Sequence, residues 1–254
     1  ILIYQRKGLV EVNDLNMVHS GGSTLFMIGE NSATDYSNSE KLTVNLNNLV
    51  INSTGTQTNR IIHAGNASMA LDLNMTKVNL TLTRDTALGK AVIMAGSSGK
   101  ATPLNLTLTE CTIDASGASG SKVIHAENGA AGTILFNKST VKTGDANVIT
   151  NSNMTLNIDK DTTFYQGTTQ SVALVDGVHQ SDFYAAVNAM NAATAATRMD
   201  IVKDFAYNTG DVTIKNRAGN TVVVNGHGHT ATAKKAILIY QRKGLVEVND
   251  LNMV

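Results

Sequence analysis

Tryptophan is absent, proline occurs once, and aromatic residues make up only 4% of the 254 residues. Cysteine occurs once, at Cys111, which excludes an internal disulfide scaffold. Neither sign of charge is in excess: 20 Lys+Arg stand against 20 Asp+Glu. A nucleic-acid binder needs a clustered basic surface, and this balance argues against one. No apolar run approaches the roughly 20 residues of a membrane helix, so membrane insertion is not expected. The chain opens on Ile1 without a signal-peptide pattern and reads as an internal piece of a longer protein.

Charged residues are only 16%, yet hydrophobic residues reach 42%, so disorder is not expected. Thr (30), Asn (27) and Gly (21) dominate the rest. Thr favours strands, and Asn and Gly favour tight turns. That is the composition of regular β-structure.

Residues 1–18 read ILIYQRKGLVEVNDLNMV, and residues 237–254 repeat them letter for letter, 236 positions later. Repeats that share only a fold keep a pattern, not letters. The identity predicts a window cut from a tandem array of near-identical units. A permuted frame, or one subunit overlapped with its neighbour, is the alternative account.

A shorter repeat lies inside the long one. The template apolar-x-apolar-x-x-apolar-x-apolar starts at Val10, Val44, Leu73, Leu106, Ile134 and, more weakly, Leu156. Successive starts are 34, 29, 33, 28 and 22 residues apart. Period-2 alternation buries one face of each short strand. The two-residue break, filled by Asn, Asp, Lys or Thr, turns the chain. Each copy is followed by a second apolar segment, such as 25–28, 61–64, 92–95, 123–126 and 148–150, and residues 172–175 extend that series. Like strands matching like strands at this spacing predict a parallel β-solenoid with three short strands per turn, not an antiparallel sandwich. Right-handed coiling is the favoured hand for parallel crossovers. Val12, Leu46, Met75, Leu108, Phe136 and Ile158 are expected to stack as one inward column. Leu15, Leu49, Val78, Cys111 and Ser139 form a second.

Residues 181–205 break the rhythm. Ser181 suits a helix cap and Asp182 the first turn. Phe183, Ala186, Val187 and Met190 fall on one helical face. Phe183, Val187 and Met190 are expected to lie against the preceding rungs near Leu156 and Phe164. Val212-Thr213-Ile214 and Val224-Asn225-Gly226 then open a new strand series.

A short amphipathic helix, an extended segment and that strand start resemble the opening of right-handed parallel β-helices of the pectin-lyase-like superfamily. The later turns resemble repeats of bacterial surface adhesins and autotransporter passengers. The resemblance implies a helix covering the open end of the core, and a unit that starts near Ser181. It does not imply an activity, because this fold hosts lyases, hydrolases, tailspikes and adhesins. Lyases of the superfamily use clustered Asp residues for calcium, but Asp14, Asp72, Asp114 and Asp159 sit in different registers here. No paired carboxylates suggest hydrolysis.

His227 and His229 are the strongest metal-like signal, since two imidazoles two positions apart can share a cation. No third ligand lies close in sequence, so a Gly-rich turn carrying histidines is the expected reading, with no metal and no cofactor. His63 and His125 share a register with Met94 between them, which suggests a stacked ladder. Cys111, in an apolar column, is expected to be a buried inert thiol.

These readings combine into one expectation. The chain is all-β, a right-handed parallel β-solenoid of about seven rungs per 236-residue unit, with one short capping or joint helix. Rungs run over 1–180, the helix and connector over 181–205 lie at the joint, and 206–254 begin the next unit. The expected function is structural, not enzymatic: a repeat of an extracellular, cell-surface filament, stalk or adhesin. Its partners are identical units end to end, in the same chain or in neighbouring subunits, with a carbohydrate or host-surface ligand left open. A carbohydrate-binding or carbohydrate-cleaving β-helix is the alternative.

Overall fold

The structure, a computed structural model, describes residues 1–3, 5, 7–29, 41–55, 60–64, 70–96, 102–127, 130–150, 153–215, 219–240 and 243–254. Positions 4, 6, 241 and 242 of the repeated segment lie outside the described residues. The protein is all-β with one helix and largely parallel sheets, an arrangement consistent with a β-solenoid. The chain divides into two compact units, residues 1–162 with 166–168, and residues 163–165 with 169–254.

In the first unit the strands Gly8–Asn13, Lys41–Asn47, Ala70–Thr76, Thr102–Thr109, Ala130–Asn137 and Thr155–Ile158 pair in parallel, each with the next. A second parallel set holds Asn16–His19, Val50–Ser53, Asn79–Leu82, Thr112–Ala115 and Thr140–Thr143. A third holds Leu2–Ile3, Phe26–Ile28, Ile62–Ala64, Ile93–Ala95, Ile124–Ala126 and Ile149–Thr150. We call one strand from each set a rung. The register joins Val12 to Leu46, Leu46 to Met75, Met75 to Leu108, Leu108 to Phe136 and Phe136 to Ile158. Leu46, Met75, Leu108, Phe136 and Ile158 are buried, and Val12, in the first rung, is half-buried.

The corner between the first and second strands is made the same way in the first five rungs. Asp14, Asn48, Lys77, Glu110 and Lys138 adopt left-handed backbone with φ of 55°, 54°, 55°, 53° and 48°. Asp and Asn accept this region readily, whereas a longer L side chain pays roughly 1–2 kcal/mol there. The ladder holds the costly residues in place. The amide N–H of Asp14, Asn48, Lys77 and Glu110 donates to the carbonyl of Asn47, Thr76, Thr109 and Asn137 in the next rung. The Lys138 N–H donates to the Asp159 carboxylate at 3.0 Å.

The second inward column turns polar at one end. Leu49, Val78 and Cys111 are buried, and so is Ser139. The Ser139 hydroxyl accepts from the Cys111 N–H and donates to the Leu108 carbonyl, each at 3.1 Å. Outward positions carry side-chain ladders instead. Asn47 Nδ2 donates to Asn13 Oδ1 at 2.8 Å, and Asn74 Nδ2 to Asn45 Oδ1 at 3.0 Å. Asn105 Nδ2 donates to Asp72 Oδ1 at 2.8 Å. Stacked amides saturate one another between rungs, which gives the abundant asparagine a structural role.

The second unit begins differently from the expectation. Residues 172–175 do not extend the third parallel set. Ala173–Val175 pairs antiparallel with Val178–Gln180 and with Thr197–Ile201. The reason is local: Asp176 and Gly177 have φ of 50° and 79°, the two positive values of a tight hairpin turn. From Thr197–Ile201 onward the pairing is parallel again, to Val222–Asn225 and then Val246–Asn249. Phe205–Tyr207, Thr230–Ala233 and Asn252–Met253 form a second parallel set, and Val212–Ile214 pairs with Ile237–Ile239.

The helix spans Phe183–Ala192, inside the stretch 181–205 expected to hold a helix and a connector. Its cap is Asp182, not Ser181: the Asp182 carboxylate accepts the Ala185 N–H at 2.8 Å. Phe183, Ala186, Val187 and Met190 are its buried residues. They share a cluster with Met199, Ile201, Tyr207, Val212, Ile214, Val222 and Val224. The cluster also holds Val172, Ala173 and Val175 from the strand before the helix, but not Leu156 or Phe164, against which this face was expected. Phe183 stacks on Phe205 with ring centroids 4.6 Å apart, which orients the helix over the start of that rung series.

Candidate functional site

The repeated segment is a site because one sequence meets two different environments. In the first copy, Leu2–Ile3, Gly8–Asn13 and Asn16–His19 pair with the strands that follow them, Phe26–Ile28, Lys41–Asn47 and Val50–Ser53. In the second copy, Ile237–Ile239, Val246–Asn249 and Asn252–Met253 pair with the strands that precede them, Val212–Ile214, Val222–Asn225 and Thr230–Ala233. The local backbone is the same: Asp14 has φ 55° and its equivalent Asp250 φ 52°. The outward ladder is the same too. Asn249 Nδ2 donates to Asn225 Oδ1 at 3.2 Å, as Asn47 Nδ2 does to Asn13 Oδ1. Asn249 and Asn13 are one position of the repeat. The two copies therefore use opposite edges of a single rung.

Exposure follows the missing neighbour. Ile3, covered by Ile28, is 7% exposed, and its equivalent Ile239 is 55% exposed. Val248 and Met253 are exposed as well, whereas their equivalents Val12 and Met17 are half-buried; Leu245 and its equivalent Leu9 are exposed in both copies. Apolar residues alternate there with exposed Lys243, Glu247, Asn249, Asp250 and Asn252.

His227 and His229 do not converge. His227, at φ 51°, lies in a corner two residues longer than the others; the place of Asp14 is held by Gly226, whose N–H donates to the Asn249 carbonyl at 2.7 Å. Its Nε2 lies 3.0 Å from Asp200 Oδ1. Asp200 is fully buried and also accepts from Arg198 Nε at 2.9 Å and Asn225 Nδ2 at 3.2 Å. His229 points elsewhere: its Nδ1 lies 3.0 Å from Asp204 Oδ1. The His229 carbonyl accepts from Asn252 N–H at 3.0 Å, as the Leu15 carbonyl does from Val50 N–H at 2.8 Å. His229 thus occupies the second inward column. Each histidine has its own carboxylate, and among the described residues no group of three or more His, Cys, Asp or Glu could hold a metal ion. Asp200 was not among the expected site residues because it lies in the stretch read only as an extended segment after the helix. Its register opposite Asn225 was the available signal.

A second polar cluster lies on the third strand set. Met27, His63, Met94, His125 and Thr150 form one in-register row. His63 and Met94 are buried, and Arg60 Nη1 donates to Met94 Sδ at 3.4 Å. His63 Nε2 bonds the Gly96 carbonyl at 3.0 Å, which fixes it as the donor nitrogen and leaves Nδ1 buried without a partner. Burial pushes the His63 pKa down to about 4, against a partial opposing effect of that hydrogen bond. His125 is lowered in the same direction by burial, opposed by Glu127. A histidine held neutral acts here as a packing and hydrogen-bonding group.

Cys111 is buried, with its thiol pushed up by burial, the opposite of an activated nucleophile. Asp72 and Asp114 are absorbed by ladder partners, Asn105 and Lys142. Among the described residues no helix is long and apolar enough to cross a membrane. No family model, no curated protein and no solved structure matches the chain.

Proposed function

We propose that this chain is a structural repeat unit of an extracellular filament, stalk or adhesin, built as a right-handed parallel β-solenoid of about seven rungs per 236 residues. The single observation that carries this reading is the repeated segment. One eighteen-residue sequence takes partners on its lower edge in one copy and on its upper edge in the other. A tandem array would give every copy both at once. The stack Val224, Val248 (equivalent to Val12), Leu46, Met75, Leu108, Phe136 and Ile158 would then run through the unit without a break.

The helix takes a different place from the one first expected. It covers the start of the rungs that follow it, so each unit of an array would open with a helix-covered end near residue 183 and pass through 236–237 inside its own stack. A rod is a sensible product of such a sequence, because unpaired strand edges invite further pairing and serial units satisfy them.

The test is the native polypeptide and its image. A mass well above 26.8 kDa and a filament whose axial repeat is about 34 Å, from about seven rungs at about 4.8 Å, are expected. A native chain of one unit that stays a globular monomer overturns the reading.

A further inference from the structure

His63 has the form of a metal-ligating imidazole. It is 2% exposed, and its Nε2–H donates to the Gly96 carbonyl at 3.0 Å. A backbone carbonyl on one ring nitrogen is the usual anchor of a histidine that ligates through the other, because it fixes both tautomer and ring orientation. The other nitrogen here, Nδ1, is buried and has no hydrogen-bond partner. Burial holds the ring neutral at neutral pH, so this nitrogen carries a free lone pair, as a metal ligand must.

The neighbours of His63 in register are two thioethers. Met27 lies on the strand before it and Met94 on the strand after it in the third parallel set. We propose that His63 Nδ1, Met27 Sδ and Met94 Sδ bind one copper(I) ion. Paired strands lie about 4.8 Å apart. Nitrogen and sulfur ligands of a closed-shell ion sit at about 2.0 and 2.3 Å, so a pair on opposite sides of the ion stands about 4.3 Å apart. Methionine is unbranched and can swing its sulfur to close the difference.

The donor set chooses the ion. Thioethers are soft ligands that select copper(I), and imidazole suits copper as well. The acid of this face, Glu127, is engaged by Lys90 Nζ at 3.5 Å and by His125 Nε2 at 3.7 Å, so it does not complete a site for a harder ion. Arg60 sets the charge. Its Nη1 donates to Met94 Sδ at 3.4 Å. A guanidinium this close repels a divalent ion about twice as strongly as a monovalent one, and it competes for the sulfur.

The probe is copper(I), held reduced by ascorbate under argon and delivered as the complex of a coloured competing chelator. The unmodified chain should withdraw one ion, read as loss of the chelator complex's colour. His63→Gln keeps a donor for Gly96 and removes the imidazole; Met27→Leu and Met94→Leu keep volume and remove sulfur. Each should weaken copper(I) binding by at least about tenfold with circular dichroism unchanged. Arg60→Gln should tighten it, and excess zinc(II) should not compete. Should His63→Gln fail to fold, the two methionine variants decide. The inference is wrong if no ion is withdrawn, or if both methionine variants bind as the unmodified chain does. It is equally wrong if Cys111→Ala abolishes binding, since the ion would then sit on the buried thiol in another column.

Discussion

Ile3 and Ile239 are the same residue of one repeated sequence, and they differ only in what lies beside them. Ile3 pairs with Ile28 and is 7% exposed; Ile239 pairs with Ile214 and is 55% exposed. Sequence alone therefore does not decide whether this segment is surface or core. The neighbour decides: the position is core where the following rung lies over it and exposed where it does not.

The inward column sets the first prediction. Phe136 is fully buried between Leu108 and Ile158 in register. Phe136→Ala should destabilise the first unit by about 3–5 kcal/mol, the usual cost of emptying such a site. Leu108→Asp or Phe136→Asp should prevent folding, because the charge would have no partner. Urea denaturation measures the first and circular dichroism the second. A melting midpoint unchanged in either Asp variant would show that the column is not the core.

The corners set the second. Lys138 holds φ 48° without the local side-chain bonding that lets Asn or Asp accept this region. Lys138→Asn should stabilise the protein by about 1 kcal/mol. Asn48→Val, at φ 54°, should destabilise it by a similar amount or more. Equal midpoints for the three proteins would remove strain at the corners as an explanation of the break residues.

Much of this was legible. The template starts at Val10, Val44, Leu73, Leu106, Ile134 and Leu156 are the residues that pair across the first sheet. Period-2 alternation with a two-residue reset determines both the strand faces and the matching of one rung to the next. The helix was legible for a similar reason, since Phe183, Ala186, Val187 and Met190 share one face. Two features were missed. The antiparallel turn of residues 173–175 was overlooked because Ala173-Leu174-Val175 is as apolar as the earlier third strands; the Asp176-Gly177 pair after it was the available hairpin signal. The seat of the helix depends on which apolar surface it meets, and residues 199–224 offer one as good as that of the preceding rungs.

The buried histidine sets the third prediction. His63 is 2% exposed and its pKa falls from 6.5 to about 4 in the folded state. The unfolded chain binds the proton more tightly, so stability is fully present above pH 6.5. It should decline as pH drops from 6.5 toward 4, by roughly 3 kcal/mol at most. His125, shifted in the same direction, adds to the slope. His63→Gln, which can still donate to the Gly96 carbonyl, should flatten the stability–pH curve over that window. An unchanged curve would mean that His63 titrates normally.

His227 sets the last. As a loose pair in a Gly-rich turn, His227 and His229 would be replaceable by Ala without consequence. The geometry predicts otherwise. Asp200 is fully buried, and His227 supplies one of its three partners beside Arg198 and Asn225. Truncating His227 leaves one lone-pair direction of a buried carboxylate unsatisfied, which costs about 1–3 kcal/mol. His229 spans to Asp204, whose side chain is 58% exposed and can turn to water, so His229→Ala loses mainly packing in its column. His227→Ala should therefore lower the unfolding midpoint, and His227→Gln, which can still donate to Asp200, should recover part of the loss. A chelator should leave all these proteins unchanged, because each histidine is held by a carboxylate of its own. If a chelator instead reproduces the loss seen in His227→Ala, the pair is a metal site and the Asp200 account fails.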